Sequence, residues 1–209
     1  MTPTYIVAVD GLDSIRLMKS IGPKVARNAL KAVNKTTRDG RVIVSRAIQA
    51  QVNFTPSYLG PKAGRLTAVP ATTVDKIEGR IVARRRATSL ARFTKQKPLQ
   101  PGQRRRKGIS VTVKKGGQAR FLADAFVIPL RAGKDGPLSN LGLAIRSDTK
   151  PAGAYKPQRL GKNLWLLYGP SVSQIMHSAR NARGGVADEV APGLAAKLEA
   201  EFNRLMDLK

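Results

Sequence analysis

From Pro23 onward, small or apolar side chains return every three to four residues, at Val25, Ala29, Val33, Thr37, Val44, Ile48 and Val52. That spacing keeps them on one side of a helix with 3.6 residues per turn, and proline is tolerated in a helix's first turn. A long helix is therefore predicted, with Gly40 as a candidate kink. Lys24, Arg27, Lys31, Lys35, Arg38 and Arg46 occupy its other face. Ahead of it, residues 4–10 read as a short strand closed by Gly11, and Asp13 reads as the cap of a short helix through Met18 to Ser20.

Beyond the long helix the period changes. Residues 54–70 break into Thr-Pro, Gly-Pro and Lys-Ala-Gly groupings that read as turns and loop. Strand-like runs follow at Ala71 to Val74, Ile77 to Ala83, Ile109 to Val113, Phe121 to Leu130 and Leu141 to Ile145. No helical pattern separates them, which favours an antiparallel sheet over a wound parallel one. Thr94 to Gly108 contains Pro98, Pro101 and Gly102 and reads as a long loop. Past Trp165 and Tyr168, Gly169-Pro170 predicts a turn, and Ser171 with Gln174 fits a capping box for a helix that buries Val172, Ile175, Met176 and Ala179. Gly184-Gly185 ends that helix. A last helix starts near Asp188 and Glu189 and carries Leu194, Leu198, Phe202 and Leu205 at helical spacing. The expected fold is α+β: a long N-terminal helix, a central antiparallel sheet with a long basic loop, and two C-terminal helices. One domain is expected over 1–209, mainly helical over 1–53, strands and basic loop over 54–168, and helical over 169–209.

Composition narrows the chemistry. The 209 residues hold 38 Lys and Arg against 13 Asp and Glu, a formal charge of +25, while the 42% apolar fraction is that of a folding chain and not of a disordered polycation. Such a charge expects a polyanion nearby, and nucleic acid, an anionic membrane surface and an acidic protein partner could each serve. Cysteine is absent and His177 is the single histidine, which removes disulfides, thiolate catalysis and the common structural zinc sites. No run of about 18 apolar residues suggests a spanning helix, and residues 1–11 lack a secretory pattern, so action in a cytosol-like compartment is expected.

Charge is also patterned. From Gly79 to Ala123 the chain contains Arg80, Arg84, Arg85, Arg86, Arg92, Lys95, Lys97, Arg104, Arg105, Arg106, Lys107, Lys114, Lys115 and Arg120 and no acid. An ordinary solvated face mixes signs, so a single-sign stretch points to a phosphate-facing surface, and arginine suits bidentate contact with phosphate oxygens. The residues expected to face nucleic acid are Arg84, Arg85, Arg86, Arg92, Lys95, Lys97, Arg104, Arg105, Arg106, Lys107, Lys114 and Lys115. Only Phe93 and Phe121 interrupt the stretch as aromatics; both read as core or strand residues and not as stacking platforms. Contact is then electrostatic and independent of base sequence.

Nothing argues for catalysis. There is no nucleophile elbow, phosphate-binding Gly-Lys-Ser/Thr loop or His-Glu-x-x-His. Gly116-Gly117 and residues 133–136 read as hairpin turns. The acidic pairs Asp10 with Asp13, Asp75 with Glu78, Asp188 with Glu189, and Glu199 with Glu201 read as strand ends, helix caps and helix surfaces. His177 reads as a surface or helix-packing side chain. A non-enzymatic protein without cofactor or metal is expected.

The order of these features resembles the prophage minor tail protein Z family, the tail-completion proteins of long-tailed bacteriophages. Leu167 and Tyr168-Gly169-Pro170-Ser171 followed by Val172 and a short helix look like the family's signature turn. Residues 32–37 (Ala-Val-Asn-Lys-Thr-Thr) and the paired runs 126–128 and 143–146 are further echoes, and together the resemblance spans about residues 11 to 185. It implies a virion structural protein at the head-proximal end of the tail, assembled in the host cytoplasm. Its implied partners are a tail terminator, tail tube and connector, and double-stranded DNA in the channel, met as a homo-oligomeric ring. Two further classes stay open: a ribosomal or nucleoid-type basic protein, which would share the charge and the lack of cysteine, and, third in order, a DNA-processing enzyme.

Overall fold

The small stripe of the first helix shapes what packs on it. In the structure, a computed structural model describing residues 22–98, 107–130, 140–151, 156–177 and 185–207, helix α1 (Pro23–Gln51) runs unbroken through Gly40. It buries Asn28, Ala29, Ala32, Thr36, Thr37, Gly40, Val44 and Ile48. The predicted basic face, Lys24 to Arg46, is exposed. The expected strand at 4–10, the helix at 13–20, the turn at 133–136 and Gly184 lie outside the described residues.

The chain divides into two compact units whose segments interleave. The first comprises 1–48, 55–85 and 172–209. Besides α1 it holds helix α2 (Pro56–Leu59), a 3-10 turn (Pro61–Ala63), the antiparallel pair β1 (Leu66–Val69) and β2 (Arg80–Ala83), helix α3 (Val172–Met176) and helix α4 (Val186–Leu205). Residues 66–69 are therefore a strand where turns and loop are predicted. Ala71 to Val74 is not a strand: the Asn34 side chain brackets Ala71, its Nδ2 donating to the Ala71 carbonyl at 3.0 Å and its Oδ1 accepting from the Ala71 N–H at 2.7 Å. A side chain that takes both backbone groups leaves neither for a ladder.

Gly40 lets α4 and β2 come close, since a Cβ there would meet Leu194 Cδ2 at 3.0 Å and Ile81 Cδ1 at 3.1 Å. Helix α4 opens with the Asp188 carboxylate accepting from the Gly185 N–H at 3.1 Å, so the expected acidic start is a working cap. Across to α1, Asn28 Nδ2 donates to the Leu205 carbonyl at 2.8 Å and Lys35 meets Glu201 at 2.7 Å.

The second unit comprises 49–54 and 86–171. Its main sheet is antiparallel in the order β3 (Thr88–Ser89), β9 (Leu164–Gly169), β7 (Leu141–Arg146), β6 (Phe126–Pro129), with β8 (Lys156–Arg159) also paired to β9. A separate ribbon joins β4 (Gly108–Val111) to β5 (Arg120–Ala123). The run predicted as one strand from Phe121 to Leu130 is broken by Asp124, which takes φ 56°. That left-handed conformation ends one ladder and starts another. Leu90, Phe93, Ile109, Val111, Leu143, Ala144, Leu166 and Leu167 are among its buried residues. Phe54 packs on Phe93 with ring centroids 5.4 Å apart.

Two predictions test the first unit. A Cβ at Gly79 would fall on the Thr37 hydroxyl, which donates to the Val33 carbonyl at 2.7 Å, and within 3.1 Å of Val33 Cγ1. Gly79→Ala is expected to cost about 1–3 kcal/mol, or about 2–4 °C of melting temperature per kcal/mol in a chain of this size. Adding Thr37→Ala is expected to restore part of it, and an unchanged melt of the single variant would refute the close approach.

Glu201 supplies the second. Hydrogen bonds from Arg204 first, then Lys35, lower its carboxyl pKa from 4.5 to about 2. A carboxyl depressed by folding contributes stability that is present above about pH 4.5 and lost as pH falls towards about 2. Melting curves of wild type and Glu201→Gln are expected to differ at neutral pH and to converge through that window; a constant gap would mean the ion cluster is not what Glu201 contributes.

Candidate nucleic-acid interface

The acid-free stretch begins just after an acid that is already taken. Glu78 receives both edges of the Arg80 guanidinium, Nε to Oε1 and Nη2 to Oε2, each at 2.8 Å, with Lys76 at 3.5 Å. The Arg80 hydrogen bonds hold its carboxyl below the usual carboxylate range. Arg80 thus belongs to a local pair.

Arg84 is placed inward as well. It continues β2, with its N–H donating to the Arg65 carbonyl at 2.9 Å and its carbonyl accepting from Ser173 at 3.1 Å. The half-buried guanidinium donates through Nη2 to the Tyr58 hydroxyl at 3.3 Å. Arg65, which sequence reasoning passed over, lies 4.2 Å over the Tyr58 ring and donates to the Tyr58 carbonyl at 3.3 Å. A cation on an aromatic face is stabilised there without a carboxylate. Arg84 is therefore a packing residue of the first unit, while Arg85 is exposed.

In the second unit the expected cations are at the surface: Arg86, Arg92, Lys95, Lys97, Lys107, Lys114 and Lys115 are all exposed, as is Arg120. Arg104, Arg105 and Arg106 lie outside the described residues. Backbone bonds tie several of the segments together. The Thr112 N–H donates to the Phe93 carbonyl at 2.9 Å, joining the residue after Arg92 to the end of β4. Asn53 Nδ2 donates to the carbonyls of Thr112 and Lys114 at 2.9 and 3.1 Å, and the Lys115 N–H donates to the Gln51 carbonyl at 3.0 Å. Lys114 and Lys115 consequently sit at the C-terminal end of α1, where the helix dipole also favours positive charge. Both units are positive, and unequally so. The second carries 18 Lys and Arg against 3 Asp, hence +15 of the +25.

The two aromatics of the stretch part company. Phe93 is buried, as expected. Phe121 is in a strand but 58% exposed. The strand alternation decides this: Ile109 and Val111 take the buried face of the ribbon, so Ser110 and its register partner Phe121 take the outer one.

The Tyr168 to Ser171 segment is a strand-to-helix junction. Tyr168 and Gly169 end β9, paired with Ser89 and Thr88. A Cβ at Gly169 would meet Leu90 at 3.0 Å and Phe93 at 3.2 Å, so close packing selects glycine there. Ser171 is 1% exposed, directly ahead of α3. That helix buries Val172 and Met176 but ends at Met176, earlier than predicted, and Ala179 lies outside the described residues.

His177 is half-buried, its pKa lowered by burial against a smaller opposing effect of Asp188. Among the described residues no group of three or more His, Asp or Glu side chains could hold a metal ion, and no helix is long and apolar enough to cross a membrane. No family model, curated protein or solved structure matches this chain.

Proposed function

We propose that the protein is a structural component of a bacteriophage virion. In this reading it completes the head-proximal end of a long tail, between tail terminator, tail tube and connector, and touches the genome end without reading its sequence. The observation that carries the reading is the acid-free run of cations from Arg85 to Lys115, of which Arg85, Arg86, Arg92, Lys95, Lys97, Lys107, Lys114 and Lys115 are exposed. Double-stranded DNA is a dense line of phosphates, and a one-sign surface gains by displacing its counterions. The tail location rests on the resemblance around Tyr168 to Val172; the charge supports only the polyanion. A homo-oligomeric ring is part of the proposal, because closed symmetry places several such surfaces around one duplex.

Neutralising Arg104, Arg105, Arg106 and Lys107 together tests the DNA contact. Loop substitutions away from a core usually change stability by about 0.5 kcal/mol or less, so folding and incorporation are expected to persist. If all four touch phosphates, the slope of log affinity against log salt falls by roughly 3 to 4, at about 0.9 per contact and equally for unrelated duplexes. Particles carrying the variant are expected to attach tails normally yet hold the genome end poorly. Normal retention with lost attachment would make the segment a protein-docking element. Sedimentation and native mass measurements test the ring: a folded monomer both in solution and within particles would rule it out. Recovery of the protein with ribosomes and not with tails would replace the whole reading by the ribosomal or nucleoid one.

A further inference from the structure

We propose that the outer face of the β4–β5 ribbon is a stacking platform for an unpaired base, with Phe121 as its aromatic surface, so that the protein binds single-stranded nucleic acid in a way that a cationic surface alone would not. The inference rests on the nucleic-acid reading above and deepens it.

Three observations carry it. First, Phe121 is the most exposed of the large apolar side chains among the described residues, at 58%, although the ribbon has a buried face available at Ile109 and Val111. Exposing a phenylalanine forfeits the burial that normally justifies it. Second, the ring reaches back over the partner strand. A Cβ at Gly108 would stand 2.5 Å from Phe121 Cζ, so the ring reaches across the strand to cover the glycine. Gly108 is itself buried while the neighbouring outer-face residues Ser110 and Ala123 are exposed and small. The tip of the ring thus lies against Gly108, and the exposed, small side chains beside it leave room for a flat group. Third, positive charge adjoins the ribbon: Lys114 and Lys115 are exposed in the turn between the strands, while Lys107 and Arg120, also exposed, fall by the same alternation on the face of Ile109 and Val111, with Asp124 the one acid at the ribbon's end.

A single ring flanked by Ser110 and Ala123 is too small for a protein interface, whose centre needs a contiguous apolar patch. It has the dimensions of one nucleobase. Aromatic side chains beside cations that track a phosphate backbone are the usual means of holding single strands, and stacking tolerates any base because every base has a π face. A fully paired duplex offers no such face along its length, only at its end or where it is opened.

The test uses the full chain with a fluorescent oligothymidylate of about 12 nucleotides, within the span of a small single-strand site, and a duplex of equal length. Phe121→Leu keeps an apolar cover over Gly108 but removes the π face. It is expected to weaken single-strand binding by about 5-fold or more, the lower end for one stacked base, and to leave duplex binding within about twofold. The salt slope is expected to stay unchanged, since no charge is removed. Phe121→Trp is expected to retain single-strand affinity and to show emission quenching by the oligonucleotide beyond that of Trp165 in the wild type. This second variant keeps the test decisive if the leucine variant melts early. Wild-type single-strand affinity in Phe121→Leu, equal losses on both probes, or an unquenched Phe121→Trp would each overturn the platform while leaving duplex contact standing. Failure of the wild type to bind either probe in a salt-dependent way would sink the nucleic-acid reading itself and the platform with it.

Discussion

The close approach along α1 is the contact on which the first unit depends. Ala29, Ala32, Thr36, Thr37 and Gly40 make a shallow stripe, and the Leu194 methyls of α4 and Ile81 of β2 settle against its lowest point. Interiors packed at crystal-like density leave no slack at such a contact. The stripe therefore sets the position of β2, and β2 sets where Arg80, Arg84 and Arg85 leave the sheet. Two of those three arginines are absorbed on arrival, Arg80 by Glu78 and Arg84 by Tyr58. Only the third is left exposed.

A second constraint is scarcity of acid. With 13 carboxylates to 38 cations, acid is outnumbered almost three to one, and several of the first unit's carboxylates are taken by its own cations. Glu201 serves Lys35 and Arg204 together, Glu78 serves Arg80 and Lys76, and Asp39 takes Lys197 at 3.3 Å. Apart from Arg80, these pairs have largely exposed cationic side chains, so each of those adds modestly to stability. Their larger effect is on distribution. The second unit keeps a net +15, and the cations of its acid-free stretch that are described, from Arg86 to Arg120, are exposed outside its apolar core. Substitution of the exposed charges is therefore expected to leave that apolar core in place.

Much of this was legible along the chain. The 3.6-residue recurrence from Pro23 predicts α1 nearly to its last residue, and its exposed basic face follows from the same count. The carboxylates at Asp188 and Glu189 announce the start of α4, and the absence of helical pattern between strands predicts the antiparallel pairing. The acid-free stretch predicts an exposed positive surface, and the cations described in the second unit are exposed. These features are encoded by neighbours within one or two turns, so local physics suffices.

What the tertiary structure decided were the outcomes that hinge on a distant partner. Residues 71–74 have strand composition, yet Asn34, 37 positions earlier, takes both backbone groups of Ala71. Arg84 carries the same charge as Arg85, but Tyr58 turns it inward. Phe93 and Phe121 are identical residues in one basic run. Phe93 is buried against Phe54, whereas Phe121 is exposed because pairing with Ser110, in a register that turns Ile109 and Val111 to the core, leaves it the outer face. A strand's side-chain period is two, so a single step of register sends every side chain to the opposite face. That step is set by the partner strand, and composition and local periodicity do not specify which partner arrives.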